Sequence, residues 1–224
     1  MTPDAASDAA SEARNRAAAG MRRLGHAIVG HDAEVALLDR IAEIADATAA
    51  TVEQGRPRSR QIETIKWRLW EEPPGDGLDM SHFPECVVSG AANPLGIGMS
   101  VRRDGQEAVA TVNLGNAFEG APKRAHGGVV AAICDDVMGY VLVLHRTPAF
   151  TGRLTIHYRA PVPVGSDLVV RAQLRERNGR KLHMAAQIHQ GDVLLCDAEG
   201  LFIAIPPERL GLSPDEMARI ADPG

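Results

Sequence analysis

An apolar run between Gly127 and Leu144 constrains the fold of this chain more than any other segment. As an α-helix, the run is hydrophobic on every face, so we expect it to be buried all round rather than amphipathic. It carries one acidic pair, Asp135 and Asp136, and an unpaired carboxylate is costly to bury. At least one of these two side chains is therefore expected to border a wet cleft, a ligand or an interface.

The same run is close to the length of a membrane span, which needs about 20 apolar residues. Its central acidic pair and its short, polar flanks oppose membrane insertion. We therefore interpret the run as the core helix of a folded domain and expect no membrane span.

The composition is typical of a globular protein. Of the 224 residues, 45% are hydrophobic and 24% are charged, which is enough apolar material for a full core. The formal net charge is −5 and no block rich in Lys or Arg stands out, so no nucleic acid is expected as a partner. The alanine-rich residues 1–16 lack the charged start and the apolar run of a secretory signal.

The cysteines and histidines suggest neither a disulfide framework nor a metal site. Cys86, Cys134 and Cys196 are widely spaced without a CxxC pair, which indicates a reduced, cytoplasmic compartment. No basic neighbour activates Cys134, so we interpret it as a core residue rather than a nucleophile. The eight histidines form neither an HExxH motif nor a Cys/His ligand spacing, so no metal and no cofactor are expected.

Three regions follow one another along the chain. Residues 1–75 are expected to form a helical extension, in which Asp32 caps a helix that ends before Gly55. A further helical segment over residues 62–70 contains two tryptophans that we interpret as packing anchors. Residues 76–206 form the main domain, and residues 207–224 form a short helical tail.

The main domain is predicted to contain six strands around the apolar helix. Two strands precede the helix and four follow it, joined by tight Gly-containing turns: Met99–Arg103, Glu107–Asn113, Thr151–Tyr158, Leu168–Arg175, Lys181–Gln190 and Val193–Ala204. One helix serving an antiparallel sheet is an α+β arrangement. A parallel Rossmann sheet is disfavoured because no helices separate the later strands.

Several motifs within residues 84–205 give this chain a family resemblance. They are His126-Gly127-Gly128, Asp135 nine positions after His126, Thr151, Leu154–Arg159 followed by Ala160-Pro161, and Asn178-Gly179-Arg180-Lys181. With these motifs the chain resembles the hotdog-fold acyl-CoA thioesterases of the PaaI-like group, and more closely the members with an N-terminal extension. The resemblance implies an antiparallel sheet wrapped around one long central helix. It also implies a homodimer or a dimer of dimers with active sites between subunits.

The resemblance implies catalytic roles for four residues. It selects Asp135 over Asp136 as the catalytic carboxylate, and leaves open whether Asp135 is a nucleophile or a general base on water. Thr151 would position that water or the carboxylate, and His126 would hold the loop before the helix. The Gly127 N–H would donate to the developing oxyanion, since a helix start offers free backbone donors.

One distance points to a shared site. Gly127 and Asp135 lie about 12 Å apart along the helix axis at about 1.5 Å per residue, which is too far for one site. If both residues are catalytic, Asp135 must face Gly127 of a second subunit, with the two helices antiparallel across a two-fold axis.

The resemblance also suggests residues for binding the acyl-CoA substrate, namely Gly128, Glu119, Arg153, Tyr158, Asn178, Gly179, Arg180 and Lys181. The basic turn Asn178–Lys181 suits the phosphates of the nucleotide, and Arg153 and Tyr158 share the strand that would flank the pantetheine arm. Glu119 stands next to the position where related enzymes carry an asparagine, and is expected to take part instead.

The expected reaction is hydrolysis of medium- or long-chain fatty acyl-CoA to free acid and CoA, in fatty acid metabolism. Gly128 and its small neighbours leave room for an acyl chain, and the N-terminal helices could roof that tunnel. Two alternatives stay open: a hotdog enoyl-CoA hydratase or dehydratase, and a non-catalytic acyl-CoA-binding hotdog domain. The acid in mid-helix fits hydrolysis better, and residues 1–75 lack the basic recognition helix of a DNA-binding regulator.

Overall fold

The computed structural model describes residues 5–58, 72–81, 83–206 and 209. Two sequence predictions lie outside these residues: the helical segment 62–70 with its tryptophans, and the C-terminal helical tail. The domain boundaries at 75 and 206 stay predictions.

Six strands form one antiparallel sheet with the order β1-β2-β6-β7-β8-β5. Their bounds are β1 Ser100–Asp104, β2 Glu107–Asn113, β5 Ala149–Tyr158, β6 Asp167–Asn178, β7 Lys181–Gln190 and β8 Val193–Ala204. Two short strands, β3 Glu119–Ala121 and β4 Arg124–Ala125, make a separate hairpin before the central helix. All six predicted strands of the sheet are present, and the predicted turns at Gly105, Gly179 and Gly191 have the positive φ that favours glycine.

The central helix α3 spans Gly127–Leu144, the predicted bounds, and packs on the concave face of the sheet. Its contacts reach strands β2, β5, β6, β7 and β8, so one helix covers nearly the whole sheet. The sheet is therefore wrapped around one helix, as the hotdog resemblance implied. By length and composition α3 could cross a membrane, but most of it is buried inside this domain.

One face of α3 is left uncovered by the residues that the structure describes. Gly128, Ala131, Asp135 and Gly139 follow one another at helical spacing and are exposed or half-buried, in contrast to the fully buried Ile133 on the sheet side. The prediction that α3 is buried all round is therefore wrong for a single chain. The physical reason is that one curved sheet covers only one side of a helix.

Close packing between α3 and the sheet depends on a glycine in β8. A β-carbon at Gly200 would lie 2.7 Å from the sulfur of Met138 and 2.7 Å from the ring of Phe202. Since real β-carbons do not approach that closely, a larger residue here would push the helix away from β8.

The N-terminal helices α1 (Ala5–Gly30) and α2 (Val35–Glu53) differ in how they are packed. Arg22 of α1 donates to two backbone oxygens of the loop at residues 91–93, at 3.1 and 2.7 Å. Helix α2 buries none of its side chains, and its role as the roof of an acyl tunnel stays a prediction. Its N-cap is Glu34, because the first amides of the helix bond to the Glu34 carbonyl, and the prediction that Asp32 caps it is wrong.

Truncation of the core helix should cost far more stability than truncation of α2. Ile133 of α3 is fully buried and Ile44 of α2 is 59% exposed. We expect Ile133→Ala to lower the free energy of unfolding by about 2–5 kcal/mol, because it leaves a cavity. The matched change Ile44→Ala should cost less than about 0.5 kcal/mol. Urea unfolding followed by circular dichroism at one protein concentration measures both, and equal losses would contradict the burial pattern.

Candidate active site

The start of α3 leaves one backbone donor available. His126 is the N-cap, and its Nδ1 accepts a hydrogen bond from the Gly128 N–H at 3.0 Å. The His126 carbonyl accepts from the N–H groups of Val129 and Val130. Among the residues that the structure describes, the Gly127 N–H is the donor of this first turn that keeps no partner. A helix start with a free N–H is suited to bind a negative charge.

The surroundings of Gly127 form a small pocket. The Tyr158 hydroxyl donates to the Gly127 carbonyl at 2.8 Å and ties strand β5 to the helix start. Burial raises the pKa of Tyr158 above its ordinary value, so this hydroxyl stays a donor at neutral pH. A pocket of about 450 Å³ opens here, with Gly120, Arg124 and Val162 in its walls. Tyr158 and Gly127, named separately from the sequence, are thus brought together.

The acidic group lies at the other end of β5. Thr151 Oγ1 donates to Asp135 Oδ1 at 2.8 Å, which joins the predicted carboxylate to the predicted positioning residue. In a regular strand Thr151 would point away from α3, because Leu154 and Tyr158 point towards it. A β-bulge at Gly152 shifts the pairing with β8 by one residue and turns Thr151 towards the helix.

Asp136 has a structural role. It accepts a hydrogen bond from the Cys86 thiol at 3.0 Å, which fastens the loop before β1 to the central helix. Burial, and then the hydrogen bond to Asp136, raise the pKa of Cys86. Asp136 thus binds a thiol of the preceding loop, whereas Asp135 binds Thr151, the predicted positioning residue. This difference is consistent with the preference for Asp135 as the reactive carboxylate.

Cys134 is a core residue, as predicted. It is fully buried, and a hydrogen bond with Cys196, together with burial, raises its pKa above the ordinary thiol value. A neutral, buried thiol is a poor nucleophile. Within the described ranges no three His, Cys, Asp or Glu side chains are grouped as metal ligands.

One chain carries two partial sites. Gly127, His126 and Tyr158 lie at one end of β5, while Asp135 and Thr151 lie at the other. Gly127 and Asp135 are eight positions apart, which separates the two groups by about 12 Å of helix. Neither group by itself has both a free oxyanion donor and a carboxylate.

The predicted pantetheine-flanking residues of β5 face opposite ways. Tyr158 points to the helix start, whereas Arg153 pairs with Leu201 on the far face of the sheet. Arg153 lines an outer cleft of about 610 Å³ together with Arg159 and Arg175. In one chain Arg153 and Tyr158 therefore do not flank the same ligand arm.

The basic turn Asn178–Lys181 lies at the Asp135 end of the sheet. Leu182, next to the turn, pairs with Phe202 of β8, and Phe202 pairs with Thr151. The Arg180 guanidinium donates its Nε–H to the Ala204 carbonyl at 2.9 Å, so this N–H group is used in a contact with strand β8. The turn can approach a ligand at Asp135 without crossing the domain.

Glu119 and Gly120 shape the hairpin that leads into α3. The Glu119 carboxylate accepts from the Lys123 N–H at 2.7 Å, and Lys123 has a φ of 61°, which is rare for a residue with a side chain. A β-carbon at Gly120 would lie 2.7 Å from the His126 α-carbon. Glu119 is thus used in the turn, and its part in a ligand site stays a prediction.

His26 of α1 contacts the segment before the hairpin, and the sequence patterns did not predict this contact. Its Nδ1 accepts from the Ala117 N–H at 3.1 Å, across 91 residues of sequence. The only sequence signal is spacing, because Ala18, Arg22 and His26 share one face of α1 at intervals of four.

Comparison with known proteins points to one family. Residues 123–196, which hold Gly127, Asp135 and Thr151, match the family model described as Thioesterase superfamily. This segment of the chain is therefore similar to that family.

The curated relatives of this thioesterase domain are named acyl-coenzyme A thioesterases. THEM4 of Mus musculus is 36% identical over 104 residues, which cover 44% of this chain and 45% of the relative. THEM5 of Mus musculus is 30% identical over 105 residues, which cover 46% of this chain and 42% of the relative. The chain thus matches less than half the length of these relatives.

A solved structure supports the fold over a longer stretch. The crystal structure of a thioesterase superfamily protein superimposes with a TM-score of 0.72 at 26% identity, over 85% of this chain and 90% of that chain. The hotdog fold is therefore confirmed. Because the match covers more than the thioesterase domain, it includes part of the N-terminal helical extension.

Proposed function

We propose that this chain is an acyl-CoA thioesterase that hydrolyses fatty acyl-CoA to free acid and CoA. The observation that carries the proposal is the Asp135 carboxylate, half-buried in the central helix of a thioesterase domain and held by Thr151 at 2.8 Å. Thr151 occupies Oδ1, and within the described residues Oδ2 has no hydrogen-bond partner. Oδ2 is therefore the oxygen that is placed to react.

Two routes use Oδ2. In one, Oδ2 attacks the thioester carbonyl carbon and the C–S bond breaks to release CoA thiolate. Water then hydrolyses the anhydride to the free acid and the Asp135 carboxylate, and a proton from this water passes to the thiolate. In the other, Oδ2 takes a proton from water while the hydroxide attacks the carbonyl, and the proton passes to the leaving CoA thiolate. In both routes thioester and water yield acid and thiol.

The oxyanion donor of this proposal comes from a second subunit. The Gly127 N–H is free and lies beside a pocket, but Asp135 of the same chain lies too far along the helix to share it. The uncovered stripe of small residues on α3 lets a second helix approach closely. An antiparallel pair of such helices brings Asp135 of each subunit to Gly127 of the other, in a homodimer or a dimer of dimers.

The alternatives within the same fold need different groups. A hydratase or dehydratase needs an imidazole that exchanges a proton with the substrate, and in this chain His126 Nδ1 accepts the Gly128 N–H as the N-cap of α3, which leaves Nε2 of this ring for that role. A non-catalytic acyl-CoA-binding domain would bind the substrate without releasing free thiol. A cytoplasmic location belongs to the proposal, since the three cysteines are free thiols.

The substrate class is tested with acetyl-, hexanoyl-, lauroyl-, palmitoyl- and phenylacetyl-CoA, by release of free thiol. We expect kcat/KM to rise with chain length, because each added methylene buries apolar area worth up to about 0.8 kcal/mol until the tunnel is filled. An optimum at acetyl- or phenylacetyl-CoA would contradict the fatty acyl assignment. Absence of thiol release with all five would contradict the proposed activity itself.

The catalytic carboxylate is tested by Asp135→Asn, which keeps the shape of the side chain and removes its charge. We expect kcat to fall by about 100-fold or more, because the asparagine is neither a base nor a nucleophile. Asp192→Asn, in the exposed turn before β8, is the matched control and should keep wild-type kcat. Wild-type rates for Asp135→Asn at the same oligomeric state would remove Asp135 from the mechanism.

The shared site is tested by mixing two inactive proteins, Asp135→Asn and Gly127→Pro. Proline removes the Gly127 N–H but suits the first helical position, and His126 already has the extended conformation that precedes proline. After subunit exchange, half of the dimers are mixed and each has one intact site. About one quarter of the wild-type activity should therefore return. No recovery despite demonstrated exchange would place the whole site in one subunit.

A further inference from the structure

Helix α1 contacts the segment that leads into the active-site helix. The side chains of Arg22 and His26 lie on its domain-facing side: Arg22 binds the loop at residues 91–93, and His26 binds the 3₁₀ helix Asn116–Phe118. The His26 ring meets the Phe118 ring edge-on, with centroids 5.1 Å apart. One residue of the N-terminal extension thus makes both a polar and an aromatic contact with this 3₁₀ helix.

The fit around the His26 ring is tight. A β-carbon at Gly115 would lie 2.5 Å from His26 Nδ1, so the ring occupies space that only a glycine leaves open. The same nitrogen accepts the Ala117 N–H at 3.1 Å, which requires an unprotonated Nδ1. The ring therefore sets the position of the 3₁₀ helix as well as touching it.

Two hydrogen bonds link His26 to the start of α3. The first is the Ala117 N–H to His26, and the second runs from the His126 N–H to the Phe118 carbonyl at 2.8 Å. The peptide after His126 carries the Gly127 N–H, the free donor at the pocket. Any shift of the 3₁₀ helix therefore moves the backbone that aims this donor.

We propose that His26 is a positioning residue for thioester hydrolysis, acting through the 3₁₀ helix on the direction of the Gly127 N–H. This inference rests on the proposed thioesterase function. An oxyanion donor works only when it is aimed at the atom where charge develops, and small misplacements reduce the rate without weakening substrate binding. The N-terminal extension therefore helps to hold the Gly127 N–H in its catalytic direction.

Three variants distinguish the role of the hydrogen-bond acceptor Nδ1 from the role of the aromatic ring of His26. His26→Phe keeps an aromatic ring and removes the acceptor, whereas His26→Asn removes the ring and keeps an oxygen near the Nδ1 position. His31→Phe is the matched control, because His31 follows the end of α1, is exposed, and has its Nδ1 3.2 Å from the Ala27 carbonyl of that helix.

With palmitoyl-CoA we expect His26→Phe to lower kcat by about 10-fold and to change KM by less than about 2-fold, since the lost interaction serves the transition state. His26→Asn should keep kcat within about 3-fold of wild type, and His31→Phe should match wild type. Hydrogen exchange at the amides of residues 117 and 126 should speed up in His26→Phe alone.

Three outcomes would overturn the inference: an unchanged kcat in His26→Phe, equal losses in His26→Phe and His26→Asn, or a change confined to KM. Failure of the proposed function looks different, because wild-type protein would then release no thiol from any acyl-CoA. In that case the amide exchange decides: unchanged exchange in His26→Phe would refute the positioning role, and faster exchange at both amides would support it.

Discussion

The packing of one apolar helix against one curved sheet is the contact on which the rest of this structure depends. Ile133, Val137 and Val141 of α3 are fully buried against strands that alternate apolar and polar residues. Gly200 lets the helix lie close to β8, and small residues on the opposite side of the helix leave that side open. The same helix therefore supplies the core on one face and carries small, partly exposed residues on the other.

This division explains why a carboxylate is tolerated in so apolar a helix. Asp135 and Asp136 are only half-buried, and each accepts a hydrogen bond, from Thr151 and from Cys86 respectively. Burial of either charge without such a partner would cost several kcal/mol. Within the described residues Asp135 Oδ2 has no hydrogen-bond partner, while Asp136 accepts a hydrogen bond from Cys86 and holds the preceding loop in place.

The N-terminal extension consists of two helices with different environments. Helix α1 is joined to the domain through Arg22 and His26, close to the hairpin that ends at the His126 N-cap. Helix α2 buries no side chain in this chain, although Leu38, Ile44 and Val52 give it an apolar surface. The part of the extension that contacts the domain thus lies next to the segment that leads into α3.

The sequence by itself determined the elements and the acidic helix. The apolar run predicted α3, and the glycine turns predicted where β7 and β8 begin and end, because turn conformation and side-chain alternation are local properties. Strand β6 runs to Asn178, past its predicted end at Arg175. The family resemblance also singled out Asp135 and Thr151, which the structure joins by a hydrogen bond.

Only the tertiary structure decided which side chains meet. The bulge at Gly152 turned Thr151 towards Asp135 and left Arg153 on the outer face, a reversal that regular alternation in β5 does not predict. The contact between His26 and residues 117–118, and the open face of α3, depend on how distant segments pack. Such contacts join residues that are far apart in sequence, so their energies do not appear in local patterns and are set only when the chain closes around its core.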